Sequence, residues 1–508
     1  MGGKAALIII AGFSSIVMLL GANNSNISQT VNRTFVNHYT EEIAHQIAVS
    51  GANIACNRFF VTPAWTPSST GVSNASYNGG TLDVTTQTVD ASKGRIRVVS
   101  TGRYMGMTRR ITIVMQASTF GKFALFVNSM GTGGAYYPPG TAIDGPVHIN
   151  VPFKNGAPDP AQSFRVDGGV YNGKVTSDLM WTAAGGKAKP NFNQGFEANV
   201  HVTLPDEFDA KLKEAVTTGS YDQYGTQSLG FKFTDNKNVA CVFGSDASGA
   251  GTITYKEYAL TDSAFHNTKD RIPSSLFTAN GTCTDPTAAA AAGWVTKKFP
   301  ELVASGKNFN GALYLKNGNI AMRGEVNGKI TVGAVHVNTS TGVPVAAPAV
   351  ASGTKAYWNV NRWEYHSVSP HTSYGNVWLD GDITYKTDPF VDASSDDMLG
   401  VVATNYIFAS DNPRNNTTKL ITSGSYFSKF KGATTENLYN LPNMKIDAGT
   451  LLNWEYKGGW TEGAAQLTTT TNGKGYDQIY KYDQRLLKDS PPFYPATGAL
   501  SILSWLEE

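Results

Sequence analysis

The chain has 508 residues, which leaves room for about three domains, or for fewer if one of them is an elongated β array. Charged residues make up only 16% and the formal net charge is +2, so a disordered chain and a nucleic-acid-binding protein with a basic excess are both disfavoured. With 52 glycines, 22 prolines and 11% aromatic residues, the composition is typical of an extracellular protein in which many turns separate short strands.

The N-terminal segment carries a separate signal. Residues 5–22 form an apolar run without any charge, directly after Lys4. Three interpretations compete for such a run: a cleaved signal peptide, a membrane anchor, and an apolar helix that later packs inside an assembly.

The residues that follow help to choose between them. No proline occurs from Asn24 to Phe60, and an apolar residue recurs at every fourth position, at Ile27, Val31, Phe35, Tyr39, Ile43 and Ile47. This stripe predicts an amphipathic helix face that must be covered. A signal peptide is not normally continued by a matched helix, so we predict one near-continuous helix over residues 5–60, roughly 84 Å long, that ends before Pro63.

The weakest stretch of this predicted helix is Gly21, Ala22, Asn23 and Asn24. Glycine in a helix interior costs about 1 kcal/mol relative to alanine, and asparagine is also unfavourable. We hypothesise that these residues unwind in an assembled state and make it extensible; the alternative is an ordinary helix with a polar patch.

The rest of the chain reads as β structure. Residues 78–117 alternate apolar and polar side chains between turn residues, which predicts a small antiparallel sheet packed on the end of the helix. From about Phe120 onward, short strands are punctuated by Gly, Asn and Asp, most clearly over Gly311–Val337, which suggests a β-helix or solenoid, with a multi-strand sandwich as the alternative. Helical insertions are predicted near 203–220 and 285–300.

These elements predict an α+β protein with three segments. Residues 1–62 form the hydrophobic and amphipathic helix, residues 63–119 the small β element, and residues 120–508 the large β-rich domain. The chain has only three cysteines, too few for a disulfide framework. Cys56 falls in the helical pattern, whereas Cys241 and Cys283 could form a disulfide in an oxidising compartment or remain free.

Signals for chemistry are weak. Asp380, Asp382, Asp388, Asp396 and Asp397 could supply a pair of catalytic carboxylates or a calcium site, but aspartates beside Gly and Ser are also ordinary turn residues. The histidines show no zinc spacing. We expect no enzyme activity, no metal and no cofactor. An aromatic group, Tyr357, Trp358, Trp363 and Tyr365, could bind sugars or another subunit, or belong to the core.

Several segments resemble a known family. A short basic lead, an apolar first half and an amphipathic second half of one long N-terminal helix resemble the type IV pilin superfamily. Residues Glu41–Phe60 are similar to its PilX-like and GspK-like branch, as are the paired strands over residues 94–118. The motif Gly145–Asn150 and the C-terminal YDQRLLKDSPPFYPATG segment resemble large bacterial PilX-like proteins. Major pilins usually carry a glutamate at the fifth mature position, where this chain has Ala5 and no acidic residue before Glu41.

The resemblance implies a structural subunit of a type IV pilus-like extracellular filament. The filament core, and before assembly the bacterial inner-membrane anchor, would be formed by Leu7, Ile8, Ile9, Ile10, Phe13, Ile16, Val17, Leu19 and Leu20. The second half of the helix would pack on the globular part or on neighbours through Ile27, Val31, Phe35, Tyr39, Ile43 and Ile47. Expected partners are copies of the same chain, the inner-membrane pilus assembly machinery and a surface or carbohydrate ligand, but no nucleic acid.

Two other functions stay open. The absence of an early glutamate and the large body favour a minor, tip-located pilin or adhesin. A membrane-anchored, β-helical enzyme acting on polysaccharides is the other alternative.

Overall fold

The computed structural model describes residues 2–61, 72–130, 141–183, 188–221, 226–266, 271–278, 280–346, 357–359, 362–364, 374–410, 412–435, 452–464, 470–471 and 474–508. The chain divides into two compact units. The first contains residues up to Asp90, Gly94–Gln116 and Leu500–Glu508, and the second contains Ala91–Lys93 and Ala117–Ala499. The predicted α+β class, a long N-terminal helix followed by a mostly β body, is confirmed.

The N-terminal helix runs without interruption from Gly2 to Val61, a length of 60 residues. It includes Gly21–Asn24, which are helical in this single chain. The prediction of one near-continuous helix over residues 5–60 is therefore confirmed, and Pro63 follows two residues after its last turn.

The first unit contains a five-stranded sheet beside this helix. In spatial order its strands are Ala75–Tyr77, Gly80–Asp90, Arg95–Tyr104, Met107–Thr119 and Ala496–Glu507. Two tight hairpins have two central residues with positive φ, Asn78-Gly79 at 47° and 75° and Met105-Gly106 at 43° and 85°. Such turns match the twist of the strands that they join. The last strand, which we predicted to belong to the large domain, joins this sheet: Arg110 and Glu508 exchange two backbone hydrogen bonds of 2.9 Å.

Small side chains bring the helix close to the sheet. The Ser100 hydroxyl donates a hydrogen bond of 2.7 Å to the Ala48 carbonyl oxygen. A Cβ atom at Gly102 would lie 2.2 Å from the Ala44 carbonyl oxygen, so no larger residue fits there. The helix contributes to this core a row of fully buried alanines: Ala44, Ala48, Ala52 and Ala55.

The second unit is built mainly from parallel ladders of short strands. The first ladder pairs, in spatial order, Gln227–Lys232, Asn308–Lys316, Lys329–Val335, Met398–Ala403, Leu420–Ser428, Leu452–Glu462, Leu125–Val127, Val147–Ile149, Val175–Ser177 and Phe196–Glu197. A second ladder pairs Lys237–Ser245, Ile320–Val326, Val377–Tyr385, Ile407–Ala409 and Ala433–Thr435. A third pairs Leu452–Glu462 with Lys474–Lys481, then Ala142–Ile143, Val170–Tyr171 and Asn191–Phe192.

Other elements lie at the margins of these ladders. Antiparallel strands Ser220–Tyr221, Gly251–Ala259, Val295–Lys298 and Thr470–Thr471 flank them, and short pairs join Phe153–Lys154 to Ala157–Pro158 and Arg165–Val166 to Thr182–Ala183. The α-helices are Ala210–Thr217, Ser263–His266 and Pro286–Ala291; the 3₁₀ turns are Phe120–Lys122, Pro160–Gln162, Phe299–Leu302 and Gln484–Leu487. Both predicted helical insertions therefore contain a short helix.

The ladders are not stacked in chain order. Strands from residues 125–197 lie next to the strand Leu452–Glu462, whereas the strand Gln227–Lys232 lies at the other end of the first ladder. The chain between them must cross the ladder, and residues 202–216, which we call the return segment, do so. Its contacts follow the ladder from one end toward the other. Asn150 Nδ2, next to the strand Val147–Ile149, donates to the Val202 carbonyl oxygen at 2.6 Å; Phe208 stacks on Phe427 with ring centroids 5.4 Å apart; and Leu212 packs on Gly333.

The disulfide between Cys241 and Cys283 is not formed, and both thiols are free. Cys241 lies in the strand Lys237–Ser245 and points into the largest core cluster, whereas Cys283 packs against the cluster on the other face of that strand. Because successive side chains of a strand point to opposite faces, the two sulfur atoms are separated by the strand itself. Burial raises the pKa of the Cys241 thiol.

Candidate assembly surface

The first half of the N-terminal helix is uncovered in the single chain. Its large apolar side chains are between 55% and 78% exposed. These are the residues predicted for the filament core, Leu7, Ile8, Ile9, Ile10, Phe13, Ile16, Val17, Leu19 and Leu20, together with Met18. Contiguous exposed apolar surface of this extent marks an interaction surface with protein or membrane. We call residues 3–39 the assembly helix.

The polar groups of the assembly helix are compatible with apolar surroundings. Lys4 is its only charged residue before Arg33. The hydroxyls of Ser15, Thr30 and Thr34 donate to the carbonyl oxygens of the preceding turn at 2.8 to 2.9 Å. Such internal bonds satisfy the hydroxyls without water. Among the described residues, this helix is the one with the length and composition to cross a membrane.

The predicted apolar stripe of the second half is divided at Thr40. Beyond it, Ile43 is half-buried and Ile47 is fully buried against the sheet of the first unit. Before it, the other members of the stripe, Ile27, Val31, Phe35 and Tyr39, are between 54% and 72% exposed. The first unit therefore covers only the C-terminal third of the helix, and the remaining stripe still needs a partner.

The hypothesis about Gly21–Asn24 concerns an assembled state and stays a prediction. A Cβ atom at Gly21 would meet no atom within 4 Å, so packing within the chain does not require a glycine there. The residue acts on this helix only through its low helix propensity.

A cluster of charged residues lies where the covered part of the helix begins. The carboxylate of Glu41 pairs with Arg109, His45 Nε2 lies 3.8 Å from Glu507, and Arg110 lies 4.0 Å from Glu508. His38, Glu41, Glu42, His45, Arg109, Glu507 and Glu508 line a shallow cavity of about 350 Å³. We call these residues the charged collar. The sequence did not indicate it, because its members come from the helix, from the fourth strand and from the C-terminus.

The aspartates singled out by sequence have structural partners. Asp380 is fully buried beside Arg271, whose Nη1 lies 3.3 Å away and whose guanidinium lies 4.6 Å from the ring of Trp378. Asp382 pairs with Arg414 and accepts the Ile421 amide at 2.9 Å. These contacts join the strand Val377–Tyr385 to the segments that carry Arg271, Arg414 and Ile421.

The remaining acidic candidates are also accounted for. Asp397 accepts the amides of Gly328 and Thr387 at 2.6 and 2.9 Å, which fixes two chain turns. Asp388 pairs with Lys457 at 2.6 Å, and Asp396 is exposed. In place of a paired-carboxylate site, the structure brings the other four aspartates to cations or backbone amides.

The aromatic group of residues 357–365 is only partly described. The strands Tyr357–Asn359 and Arg362–Glu364 form an antiparallel pair in which Trp358 lies opposite Trp363. Tyr365 lies outside the described residues, so a sugar site there stays a prediction.

Comparisons with known proteins add little. No protein-family model matches the chain, and no curated protein matches it. Among solved structures, the crystal structure of the competence-associated pilin ComZ from Thermus thermophilus is similar, with 11% identity and a TM-score of 0.30 over 92% of this chain and 97% of that chain. This TM-score is too low to establish a shared fold, so the proposals below rest on the chain's own residues.

Proposed function

We propose that this protein is a structural subunit of a pilus-like extracellular filament, which polymerises through the assembly helix and displays the second unit outside. The observation that carries the proposal is the exposure of residues 3–39 on a helix whose remaining third is packed on its own sheet. An apolar helix surface of this length is unstable in water and must be covered by other molecules.

The assembly helix is too long for a membrane alone to cover its apolar surface. A bilayer core covers about 20 helical residues, or about 30 Å. Residues 3–39 span roughly 55 Å at 1.5 Å per residue. The apolar positions from Ile27 to Tyr39 therefore stay uncovered when residues 3–22 lie in a bilayer, and a neighbouring helix supplies the simplest cover for both parts.

The energy available is large enough for stable assembly. Full burial of a large apolar side chain contributes roughly 1.5–3 kcal/mol, so the nine predicted core residues contribute on the order of 10–25 kcal/mol per subunit. Association costs an estimated 4–15 kcal/mol in lost freedom. Because a helix surface is covered by a different surface of the next copy, the contact is heterologous and can continue without closing.

The same proposal extends to location, partners and the second unit. The subunit waits in the bacterial inner membrane, is handed to a pilus assembly machinery and ends in a filament on the cell surface. The parallel ladders of the second unit support a β-solenoid classification. The second candidate is a minor or tip subunit. It is supported by Ala5, which stands where major pilins usually carry a glutamate, and by the size of the second unit.

The test separates anchoring from assembly. Val31→Asp with Phe35→Asp leaves residues 5–22 apolar, so membrane insertion is retained, but it places charges where a neighbouring helix packs and abolishes filaments. Ile9→Asp with Phe13→Asp disrupts both steps. The conservative pair Val31→Leu and Phe35→Leu is the control. Filaments are scored by electron microscopy and anchoring by membrane fractionation. Normal filaments from the Val31 and Phe35 aspartate variant would refute the proposal, and immunolabelling along the shaft or only at its end separates the major from the tip role.

A further inference from the structure

A cavity of about 610 Å³ in the second unit has the size of a small-molecule site. The 3₁₀ turn Phe299–Leu302 contributes Phe299, and the start of the strand Asn308–Lys316 contributes Phe309. The start of the neighbouring parallel strand contributes Lys329. The cavity is thus built on strand ends, which fix its lining residues in place.

The apolar part of the cavity is a pair of aromatic rings. Phe299 and Phe309 stack with their centroids 5.6 Å apart and their planes at 29°. Phe299 is buried, and a Cβ atom at Gly251 would lie 2.7 Å from its ring, so the glycine leaves the space that the ring occupies. The stacked rings offer a fixed surface on which the C–H face of a sugar ring can pack.

The cavity is also cationic. Lys93, Lys307 and Lys329 line it. Asp489 pairs with Lys93 at 2.7 Å and lies 3.9 Å from Lys329, so two lysines share this carboxylate. No ion pair of Lys307 occurs among the residues that the structure describes. Positive charge is therefore left over for an anionic ligand.

A residue in the wall of the cavity carries a buried hydroxyl without a partner in the described part of the chain. Ser490 lines the cavity and is 2% exposed, yet its hydroxyl has no hydrogen-bond partner among the described residues. An unpaired buried polar group costs stability, and most such groups in folded proteins are paired. In the proposal below, a hydroxyl group of the ligand is assigned to this unpaired group.

We propose that this cavity binds an acidic saccharide, a sugar unit that carries both hydroxyls and a carboxylate. The carboxylate is held by Lys307 and Lys329, a hydroxyl meets Ser490, and the C–H face packs on the Phe299 and Phe309 rings. A nucleic acid fits less well, because the net charge of +2 provides no extended basic track for its phosphates. The site lies in the second unit and does not depend on filament assembly.

The experiment uses the full chain in detergent and three probes: a trimer of galacturonic acid, the neutral trimer of galactose and a single-stranded oligonucleotide. Titration calorimetry at low salt is expected to give at least tenfold tighter binding of the acidic than of the neutral trimer, weakened by added salt. Lys307→Gln and Lys329→Gln are expected to lower affinity for the acidic trimer about tenfold each. Lys297→Gln, an exposed lysine outside the cavity, is the matched control and should change nothing.

The Ser490→Ala variant tests the hydroxyl separately. It removes an unpaired group, so its melting temperature should not fall, while affinity for the acidic trimer falls about threefold to tenfold. Absence of binding by the acidic trimer at millimolar concentration would overturn the proposal, as would equal affinity for the neutral trimer. Tighter binding of the oligonucleotide, or unchanged affinity in both lysine variants, would also overturn it.

Discussion

Replacement of Gly102 by alanine should detach the helix from the sheet of the first unit. The added Cβ atom would lie 2.2 Å from the Ala44 carbonyl oxygen and 2.6 Å from the Ala48 amide nitrogen. Both neighbours are backbone atoms, so the helix itself must move by about 1 Å. Overpacking of this kind costs about 1–3 kcal/mol, and loss of the hydrogen bond from Ser100 to Ala48 adds about 1 kcal/mol. We expect a total of about 3 kcal/mol, a large part of the stability of a small domain.

The thiol of Cys56, half-buried on the same helix, reports this change directly. Its rate of alkylation, measured by mass spectrometry of the Cys56 peptide, is expected to rise in the Gly102→Ala variant, and the first unit should unfold at lower denaturant concentration. Gly21→Ala is the matched control, because nothing lies within 4 Å of the added methyl group. If the Gly102→Ala variant protects Cys56 as well as the wild type does, the close approach of helix and sheet described above is wrong.

Three further changes test other parts of the molecule. Burial lowers the pKa of His148 to about 4, compared with about 6.5 in the unfolded chain. Between about pH 4 and pH 6.5 the unfolded state therefore binds a proton at this imidazole that the folded state does not bind. Stability should therefore fall by up to about 3 kcal/mol as the pH drops from 6.5 to 4, and His148→Gln should flatten this slope in denaturant titrations. Lys429→Met leaves the carbonyl oxygens of Leu204 and Pro205 in the return segment without their donor, so the free energy of unfolding measured in urea should fall by about 1–3 kcal/mol. The control Lys211→Met, at an exposed lysine, should leave the free energy of unfolding almost unchanged. In filaments, unwinding of residues 21–24 would lengthen this part of the chain by about 7 Å. An electron cryomicroscopy map that shows regular helical hydrogen bonding across residues 20–26 would contradict the unwinding hypothesis.

Local features of the fold could be predicted from the sequence. The proline-free four-residue repeat predicted the helix, and the apolar–polar alternation over residues 78–117 predicted strands of the first sheet, whose hairpin at Asn78-Gly79 has positive φ at both central residues. Short strands between glycines and asparagines indicated the strands of the ladders. In each case the signal and the structure lie within a few residues of each other.

Long-range pairing could not be predicted. Parallel strands such as Leu452–Glu462 and Leu125–Val127 share the same apolar pattern with every other strand of the ladder, so nothing local says that these two are neighbours. The C-terminal strand reads as a strand but does not show which sheet it joins. The burial of Asp380 depends on Arg271, which lies 109 positions away, and without that cation the aspartate reads as a turn residue or a catalytic candidate.

The candidate surface itself was predicted as apolar, but its division into a covered and an uncovered part was not predicted. The covered third of the helix uses Ala44, Ala48 and Ala52, whose small side chains let a backbone approach within hydrogen-bond reach of Ser100. The uncovered part uses leucine, isoleucine and phenylalanine, which stand away from the helix and need interdigitating side chains on a partner. A repeat of apolar positions does not distinguish the two kinds of face, and side-chain volume alone does not either, since Ile47 and Phe59 are buried beside the alanines. What distinguishes the covered third is the close approach of Ala44 and Ala48 to Gly102 and Ser100, a long-range pairing that the sequence pattern does not reveal.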